Sequence, residues 1–300
     1  MDDETRARLT VFEHLTTLSA QHDEGVLPRT ELERGVLFEG DIIRLIGPQG
    51  IFKPRRFTLP LSITTAPPVP GKEPPYPDQA SDDRLFYSYR GRDPNHRDNV
   101  GLRQAMEQGV PLVYFFGVTP GRYLATCPVH VVADDPARLQ FTVSLDASAT
   151  GQRVLDAAAE DPGRRYAVHS VRYRLHQRAF RVRVLEAYRR CCAMCRIRHT
   201  ELLDAAHIVP DAEEDSSASV TNGLALCRLH HAAFDAHILG VRDDLVIHLR
   251  RDILEEVDGP MLRHGLQAMQ GQRLEIPRSR ASQPEPALLR KRFERFLAAG

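Results

Sequence analysis

Several things are scarce in this chain of 300 residues. No run of apolar residues approaches the roughly 18 that a membrane-crossing helix needs. The first thirty residues are charged and hold no apolar core of the kind a secretory signal carries. Neither membrane insertion nor secretion is indicated, and the expected location is the cytoplasm. Cysteine is sparse, at five, and unevenly placed. Cys191, Cys192, Cys195 and Cys227 fall in one segment, and Cys127 stands alone in an apolar stretch that reads as a buried strand. That distribution suits a reducing compartment. Net charge is absent, with 40 Lys and Arg against 40 Asp and Glu, so overall charge neither favours nor excludes a polyanionic partner. No segment repeats.

What is present divides in two. The length suffices for two average domains. In the N-terminal half, Asp41 to Gly47, Arg56 to Thr65, Arg84 to Arg90, Pro111 to Asp134 and Arg138 to Asp146 read as strands rich in β-branched and aromatic residues. A leading helix over Thr5 to Ala20 and a second over Asn99 to Gln108 accompany them. Pro and Gly concentrate at Ala66 to Pro77 as a loop. These patterns predict an α+β domain organised around a curved sheet or barrel over residues 1–150, a linker over 151–173, and a second domain over 174–300 that ends in a helical tail.

The second domain carries the clearest chemistry. Cys192 and Cys195 form a C-x-x-C knuckle, and Cys227 and His230 form a C-x-x-H pair whose helical spacing puts both on one face. Two short-spaced thiolate and imidazole pairs are the usual ligand set of a tetrahedral structural zinc. Cys191 neighbours the knuckle and could compete, but it lies four residues from Cys195, so Cys192 is preferred. Around these ligands, Leu202 to Ile208 and Gly223 to Cys227 read as short strands and Arg228 to Ala236 as a helix, a β-β-α order. On that helix His231 and Asp235 are four apart and share a face, whereas His230 points about 100° away from His231. One helix can thus serve two metals.

Ala206-His207-Ile208, Asn222-Gly223-Leu224 and His231-Ala232-Ala233-Phe234-Asp235, in that order, resemble the HNH, or ββα-metal, nuclease family, over about Ala187 to Val241. The resemblance implies hydrolysis of DNA with His207 as general base, a divalent cation such as Mg²⁺ or Mn²⁺ held by His231 and Asp235, and Asn222 orienting the base or bracing its loop. An imidazole with an ordinary pKa near 6.5 can accept a proton from water at neutral pH. Many relatives carry an acidic or histidine ligand immediately before the base. Here that position is Ala206, with Asp204 two residues earlier on the same strand face. Whether Asp204 replaces the missing ligand is left open by the sequence.

Upstream of the knuckle, Arg164, Arg165, Arg172, Arg174, Arg178, Arg181, Arg183, Arg189 and Arg190 face a single acid, Glu186. Beside a nuclease motif such a stretch reads as an arm contacting DNA phosphates. The alternative is a solvated basic face paired with acids such as Glu213, Glu214 and Asp215.

The N-terminal half carries Gly47-Pro48-Gln49-Gly50-Ile51-Phe52-Lys53-Pro54, Tyr87-Ser88-Tyr89-Arg90-Gly91 with Asp93-Pro94, Asp98-Asn99-Val100-Gly101-Leu102-Arg103 and Pro111-Leu112-Val113-Tyr114-Phe115. These segments resemble bacterial proteins that join an SRA-like (SET- and RING-associated, PUA-like) domain to an HNH nuclease. The resemblance implies a double-stranded DNA partner bearing modified cytosine, 5-methylcytosine or a related mark, with the base flipped into a pocket. Tyr87 and Tyr89, alternating onto one strand face, and Asp93 in the following loop are the candidate pocket residues. Lys53, Arg55, Arg56, Arg90, Arg92, Arg97 and Arg103 are candidates for the flanking phosphates.

Three functions compete on this reading: a modification-dependent restriction endonuclease, an HNH nuclease indifferent to modification, and a non-catalytic reader of modified DNA. The intact His207, Asn222, His231 and Asp235 weigh against the third. A homodimer is among the candidate assemblies, and the sequence leaves the oligomeric state open.

Overall fold

The computed structural model describes residues 1–67, 85–145, 162–210, 219–257 and 259–300, with side chains described from 173 onward in the helix that begins at 162. Most of the Pro-rich loop, residues 147–161 of the expected boundary, the side chains of Arg164, Arg165 and Arg172, and the acidic Glu213, Glu214 and Asp215 lie outside the described residues. The chain divides into two compact units, Met1–Leu175 and His176–Gly300. Residues 162–173, read from sequence as linker, are helical.

The N-terminal unit opens with α1 (Asp3–Gln21), whose start is capped by Asp2 accepting from the Thr5 N–H at 2.7 Å. Its buried Ala7, Val11 and Leu15 recur every four residues and face the core. Arg8 lies on the same buried side and donates to the carbonyls of Pro60 (2.9 Å), Pro111 (3.1 Å) and Leu59 (3.2 Å), with Glu4 at 2.6 Å balancing its charge. One guanidinium thereby ties the first helix to two separate loops.

The sheet that α1 covers contains β1 (Val26–Pro28), β4 (Ile51–Phe52), β5 (Ser62–Thr64), β6 (Leu85–Ser88), β7 (Leu112–Thr119), β8 (Arg122–Asp135) and β9 (Gln140–Ser144); β2 (Val36–Phe38) and β3 (Asp41–Ile43) form a separate hairpin. Its order is β4-β5-β7-β8-β9-β6, with β1 added on β8, and only the β5–β7 pairing is parallel. The fourteen-residue β8 pairs with β7 through its first part and with β9 from His130 onward, and register shifts interrupt both ladders. Such irregularities bend a strand. The sheet curls into a half-barrel, and the Tyr87 hydroxyl on β6 donates to the Thr64 carbonyl on β5 at 3.3 Å, joining the last strand of the order to the second.

The sequence-expected strand over Pro111 to Asp134 is two strands, because Pro120 and Gly121 make the turn between them, with Gly121 at φ 74°. The expected strand over Arg56 to Thr65 shrinks to β5, since Pro60 cannot donate to a ladder. The helix expected over Asn99 to Gln108 is α3 (Arg97–Glu107), following the short α2 (Arg29–Arg34).

In the C-terminal unit the end of α4 (Pro162–Ala187) packs on a hairpin of β10 (Leu203–His207) and β11 (Gly223–Cys227), which leads into α5 (Arg228–Asp235). The pairing sets Leu203 opposite Cys227, Asp204 opposite Leu226 and His207 opposite Gly223. A second hairpin, β12 (Leu239–Val241) and β13 (Ile247–Leu249), and then the helices α6 (Arg251–Glu255), α7 (Pro260–Gly265) and α8 (Pro286–Ala299) complete the unit. Gly223 is required by close packing rather than by its backbone angle. A Cβ there would fall on Val184 Cγ2 and 2.9 Å from Phe180 Cζ, both on α4.

Gly223→Ala is therefore expected to push α4 off the hairpin and destabilise the protein by about 1–3 kcal/mol, the range for an overpacked core. Thermal unfolding of the variant checks this. An unchanged melting temperature would mean that α4 does not press on β11.

Candidate metal centre and nuclease site

Cys192, Cys195, Cys227 and His230 converge so that one ligand atom from each lies within 4.8 Å of the others. The knuckle is shaped by the Cys192 N–H donating to the Ile197 carbonyl and the Arg196 N–H donating back to the Cys192 carbonyl, both at 3.0 Å. Cys227 is at once the last residue of β11 and the residue that starts α5, so β11 and the helix enter the cluster together. The sulfurs of Cys195 and Cys227 are 3.8 Å apart, and His230 Nδ1 lies 3.5 Å from Cys192 Sγ and 3.2 Å from Cys227 Sγ. Tetrahedral coordination with Zn–S bonds of about 2.3 Å and Zn–N bonds of about 2.0–2.1 Å requires about 3.8 Å between sulfurs and about 3.5 Å from sulfur to nitrogen, so the spacing fits such an ion. His230 Nε2 donates to the Gly265 carbonyl at 2.8 Å, which leaves Nδ1 as the ligand atom.

Charge agrees with geometry. Hydrogen bonds from Cys195 and Cys227 draw Cys192 far below the usual thiol range, and the contact with Cys192 pushes Cys195 far above it. Sulfurs packed this closely oppose one another's ionisation, an opposition that a divalent cation removes. Burial opposes charge on His230, but its hydrogen bonds to Cys192 and Cys227 outweigh burial and lift it to about 10. Cys191 takes no part and points its sulfur toward the Cys192 carbonyl at 3.8 Å. The group is a Cys₃His site able to hold a metal.

A second, more open cluster lies on the other side of the same helix. His231 is flanked by two carboxylates, with Nδ1 3.3 Å from Asp204 Oδ2 on β10 and Nε2 3.3 Å from Asp235 Oδ2 one helical turn on. The bond to Asp204 raises the His231 pKa against the opposing effect of burial. Burial would push Asp204 up, but the bond from His231 and the Ala205 N–H hold it below the ordinary carboxylate range. Arg181 of α4 approaches Asp204 Oδ1 at 3.8 Å. From α8, the buried Arg292 donates to the Phe234 carbonyl at 2.8 Å, lies over the Phe234 ring and comes within 3.7 Å of Asp235 Oδ1.

His207 occupies the far end of β10 and stacks flat on Phe180, with ring centroids 3.9 Å apart and planes 7° from parallel. Phe180 and Arg181 are consecutive on α4, so one helix orients His207 and also reaches the carboxylate that meets His231. Asn222 is fully buried, and its side chain makes a two-point clasp on Val209, accepting from the N–H at 2.9 Å and donating to the carbonyl at 3.0 Å. Its own carbonyl accepts from the Ile208 N–H at 2.9 Å. The chain leaving His207 is thereby pinned. Sequence reasoning missed Arg292, which sits in an ordinary amphipathic helix, and the Gly265 carbonyl, which leaves no sequence signal. Arg181, a candidate for DNA contact, lies 3.8 Å from Asp204 Oδ1; Arg174, Arg178, Arg189 and Arg190 are exposed.

In the N-terminal unit a cavity of about 320 Å³ opens between the Gly47–Ile51 loop and β6, lined by Tyr87, Tyr89 and Arg90 among others. Both tyrosines are buried. Tyr89 stacks on Phe141 at 4.6 Å and its hydroxyl bonds Asp134, with Arg103 donating to it at 3.2 Å. Asp93 is not among the lining residues; it is exposed, and its carboxylate caps its own turn by accepting from the Asn95 N–H at 2.9 Å. Arg90 pairs with Asp98, Arg103 with Asp134, and Arg56 with Asp3 and Glu39. Lys53, Arg55 and Arg97 line a separate, larger depression of about 860 Å³.

No curated protein matches the chain. A solved structure titled "Modification dependent TagI restriction endonuclease" aligns over 79% of this chain and 81% of its own at 17% identity with a TM-score of 0.30, a likeness too loose to carry an argument. Residues 192–242 match the model of a family described as HNH endonuclease. That span contains the Cys₃His site, His207, Asn222, His231 and Asp235, and the chain carries an HNH endonuclease domain, an enzyme module of the DNA-cleaving hydrolases.

Proposed function

We propose that the protein is a modification-dependent DNA endonuclease in which the N-terminal unit is an SRA-like reader of modified cytosine and the C-terminal unit cuts. The observation that carries the cutting half is the joint arrangement of His207 on Phe180, Asn222 clasping Val209, and His231 between two carboxylates. His207 accepts at one ring nitrogen the proton of a water whose oxygen bonds phosphorus as the bond to the 3′ oxygen breaks, and solvent protonates the leaving group. A divalent cation such as Mg²⁺ or Mn²⁺, held by His231 and Asp235, would offset the charge growing on the phosphate and the leaving oxygen. The Phe180 stack fixes the ring plane of the base. Asn222 is sealed from solvent, so its part is to brace the turn after His207 and not to touch the DNA.

His207→Ala is expected to lower cleavage by about 10²–10⁴-fold while DNA binding and bound metal at the cysteines persist. Gel-based cleavage beside a binding assay checks it, and a variant that cuts at the parent rate overturns the assignment. Asp235→Ala should lower activity together with the response to added Mg²⁺ or Mn²⁺.

The same reading assigns zinc to Cys192, Cys195, Cys227 and His230. Because such a site forms only in the folded protein, its binding energy stabilises the fold directly. Cys195→Ala or Cys227→Ala should release the ion and lower the melting temperature; elemental analysis showing no zinc in well-folded parent protein contradicts it.

A specific observation also favours a second reading, a nuclease indifferent to modification. The Tyr89 hydroxyl is taken up by Asp134 and Arg103, the Tyr87 hydroxyl bonds the Thr64 carbonyl, and Asp93 is turned into its own loop. Those contacts suit a core as well as a base pocket. Side-by-side digestion of methylated, hydroxymethylated and unmodified duplex at matched salt separates the two. The leading reading expects preferential cutting of a modified substrate, by several-fold if a methyl contact of about 0.8 kcal/mol is the source. Tyr87→Ala should shrink that preference. Equal cutting of all three promotes the second reading.

A further inference from the structure

The His231 ring stands between Asp204 and Asp235, at 3.3 Å from each, through different nitrogens. A neutral imidazole keeps a hydrogen on one nitrogen and offers a lone pair on the other, and the acceptor that takes the hydrogen decides which is which. The two carboxylates therefore cannot have the same role. Nor do they meet: among the described residues the sole group of three or more side chains with ligand atoms gathered closely enough for an ion is the Cys₃His site. One acid shares a cation with the ring, and the other orients the ring.

The surroundings distinguish them. Asp204 is committed to the protein. Its Oδ1 accepts from the Ala205 N–H at 2.8 Å and faces Arg181 at 3.8 Å, which leaves Oδ2 for His231. Asp235 follows His231 by one helical turn and is the more open of the two, with its side chain 61% exposed against 46% for Asp204. Its Oδ1 lies 3.7 Å from Arg292.

We infer that Asp204 is a positioning residue: it accepts the Nδ1–H of His231 and so presents Nε2, beside the Asp235 carboxylate, to the catalytic cation. The inference rests on the proposed role of His231 and Asp235 as cation ligands. It answers the question raised by Ala206, since the acid remaining on that strand face acts through the imidazole and does not replace a ligand. Arg181 then has a defined task as well, which is to hold the Asp204 carboxylate in place on the strand.

The test uses full-length zinc-loaded protein without DNA, titrated with Mn²⁺ and followed by the electron paramagnetic resonance of free Mn²⁺, with ¹⁵N NMR of the histidine rings reporting the tautomer. Wild type should bind one Mn²⁺ beyond the zinc and show His231 protonated at Nδ1. Asp235→Ala should abolish that binding. Asp204→Ala should weaken it by about 10–100-fold, the range for loss of a group that orients a metal-binding histidine, with zinc content and melting temperature kept. Asp204→Asn, which can donate to Nδ1 and favour the opposite tautomer, should weaken it as well and show the change in the ¹⁵N spectrum. Unchanged Mn²⁺ affinity in Asp204→Ala overturns the inference alone, as does abolition in Asp204→Ala with retention in Asp235→Ala, which would put the cation on the strand side. No Mn²⁺ binding by wild type would instead sink the cation-site reading and this inference with it.

Discussion

The C-terminal unit depends on the convergence of Cys192, Cys195, Cys227 and His230. Cys227 belongs to the hairpin and to the start of α5, so whatever holds its sulfur also sets where the helix begins relative to β10. The register that puts Leu203 opposite Cys227 leaves Asp204 one step on, facing the helix where His231 emerges. If the cluster were loosened, the first structural loss would be this alignment of strand acid with helix histidine. The hairpin could survive it. The His230 bond to the Gly265 carbonyl extends the same constraint to α7, 35 residues downstream.

Placing a closed metal site and, on the proposed reading, an open one on adjacent histidines demands a rigid helix. His230 and His231 point about 100° apart, and α5 has only eight residues, too few to hold its shape alone. Its stability comes from its ends. Cys227 and His230 anchor the first turn, while in the last turn Arg292 donates to the Phe234 carbonyl, which also accepts from the His237 N–H at 3.2 Å. A cation at a helix C-terminus is also favoured by the helix dipole. Arg292 is thus a structural complement of the cysteine cluster at the opposite end of the helix. It approaches Asp235 as a consequence of that position.

What the sequence makes legible follows interaction range. The Cys₃His set and the His231–Asp235 pair sit at fixed short spacings, so their convergence can be read directly. Asp204 is legible as sharing the face of Ala206, because strand alternation is local, but its meeting with His231 depends on hairpin register. Arg292 is not legible, since α8 has the pattern of any surface helix and its contact spans 57 residues. In the N-terminal unit the turn at Pro120 and Gly121 carries a visible signal. The parallel β5–β7 pairing and the Tyr87–Thr64 bond join segments far apart in sequence and leave none.

The division of polar contacts in the N-terminal cavity limits what it can distinguish. Tyr87 and Tyr89 line the cavity but direct their hydroxyls at the Thr64 carbonyl and at Asp134 with Arg103, and the Tyr89 ring stacks on Phe141, so what they could offer a base is ring surface more than hydrogen bonds. Ring faces stack on any base, at about 1–3 kcal/mol each, and so supply affinity without choosing a base. Choice by hydrogen bonding would need polar groups such as the backbone of the Gly47–Ile51 loop or Arg90, whose guanidinium is shared with Asp98. On the proposed reading, selectivity then arises from two sources. One is shape around the modified carbon, and the other is the ease with which a given base leaves the duplex, where unpairing and unstacking differ by a few kcal/mol among substrates. On that proposal a reader built this way would discriminate by degree, and the sharpness of cutting would come from requiring that recognition and the correctly aligned His207 and His231 act on the same DNA.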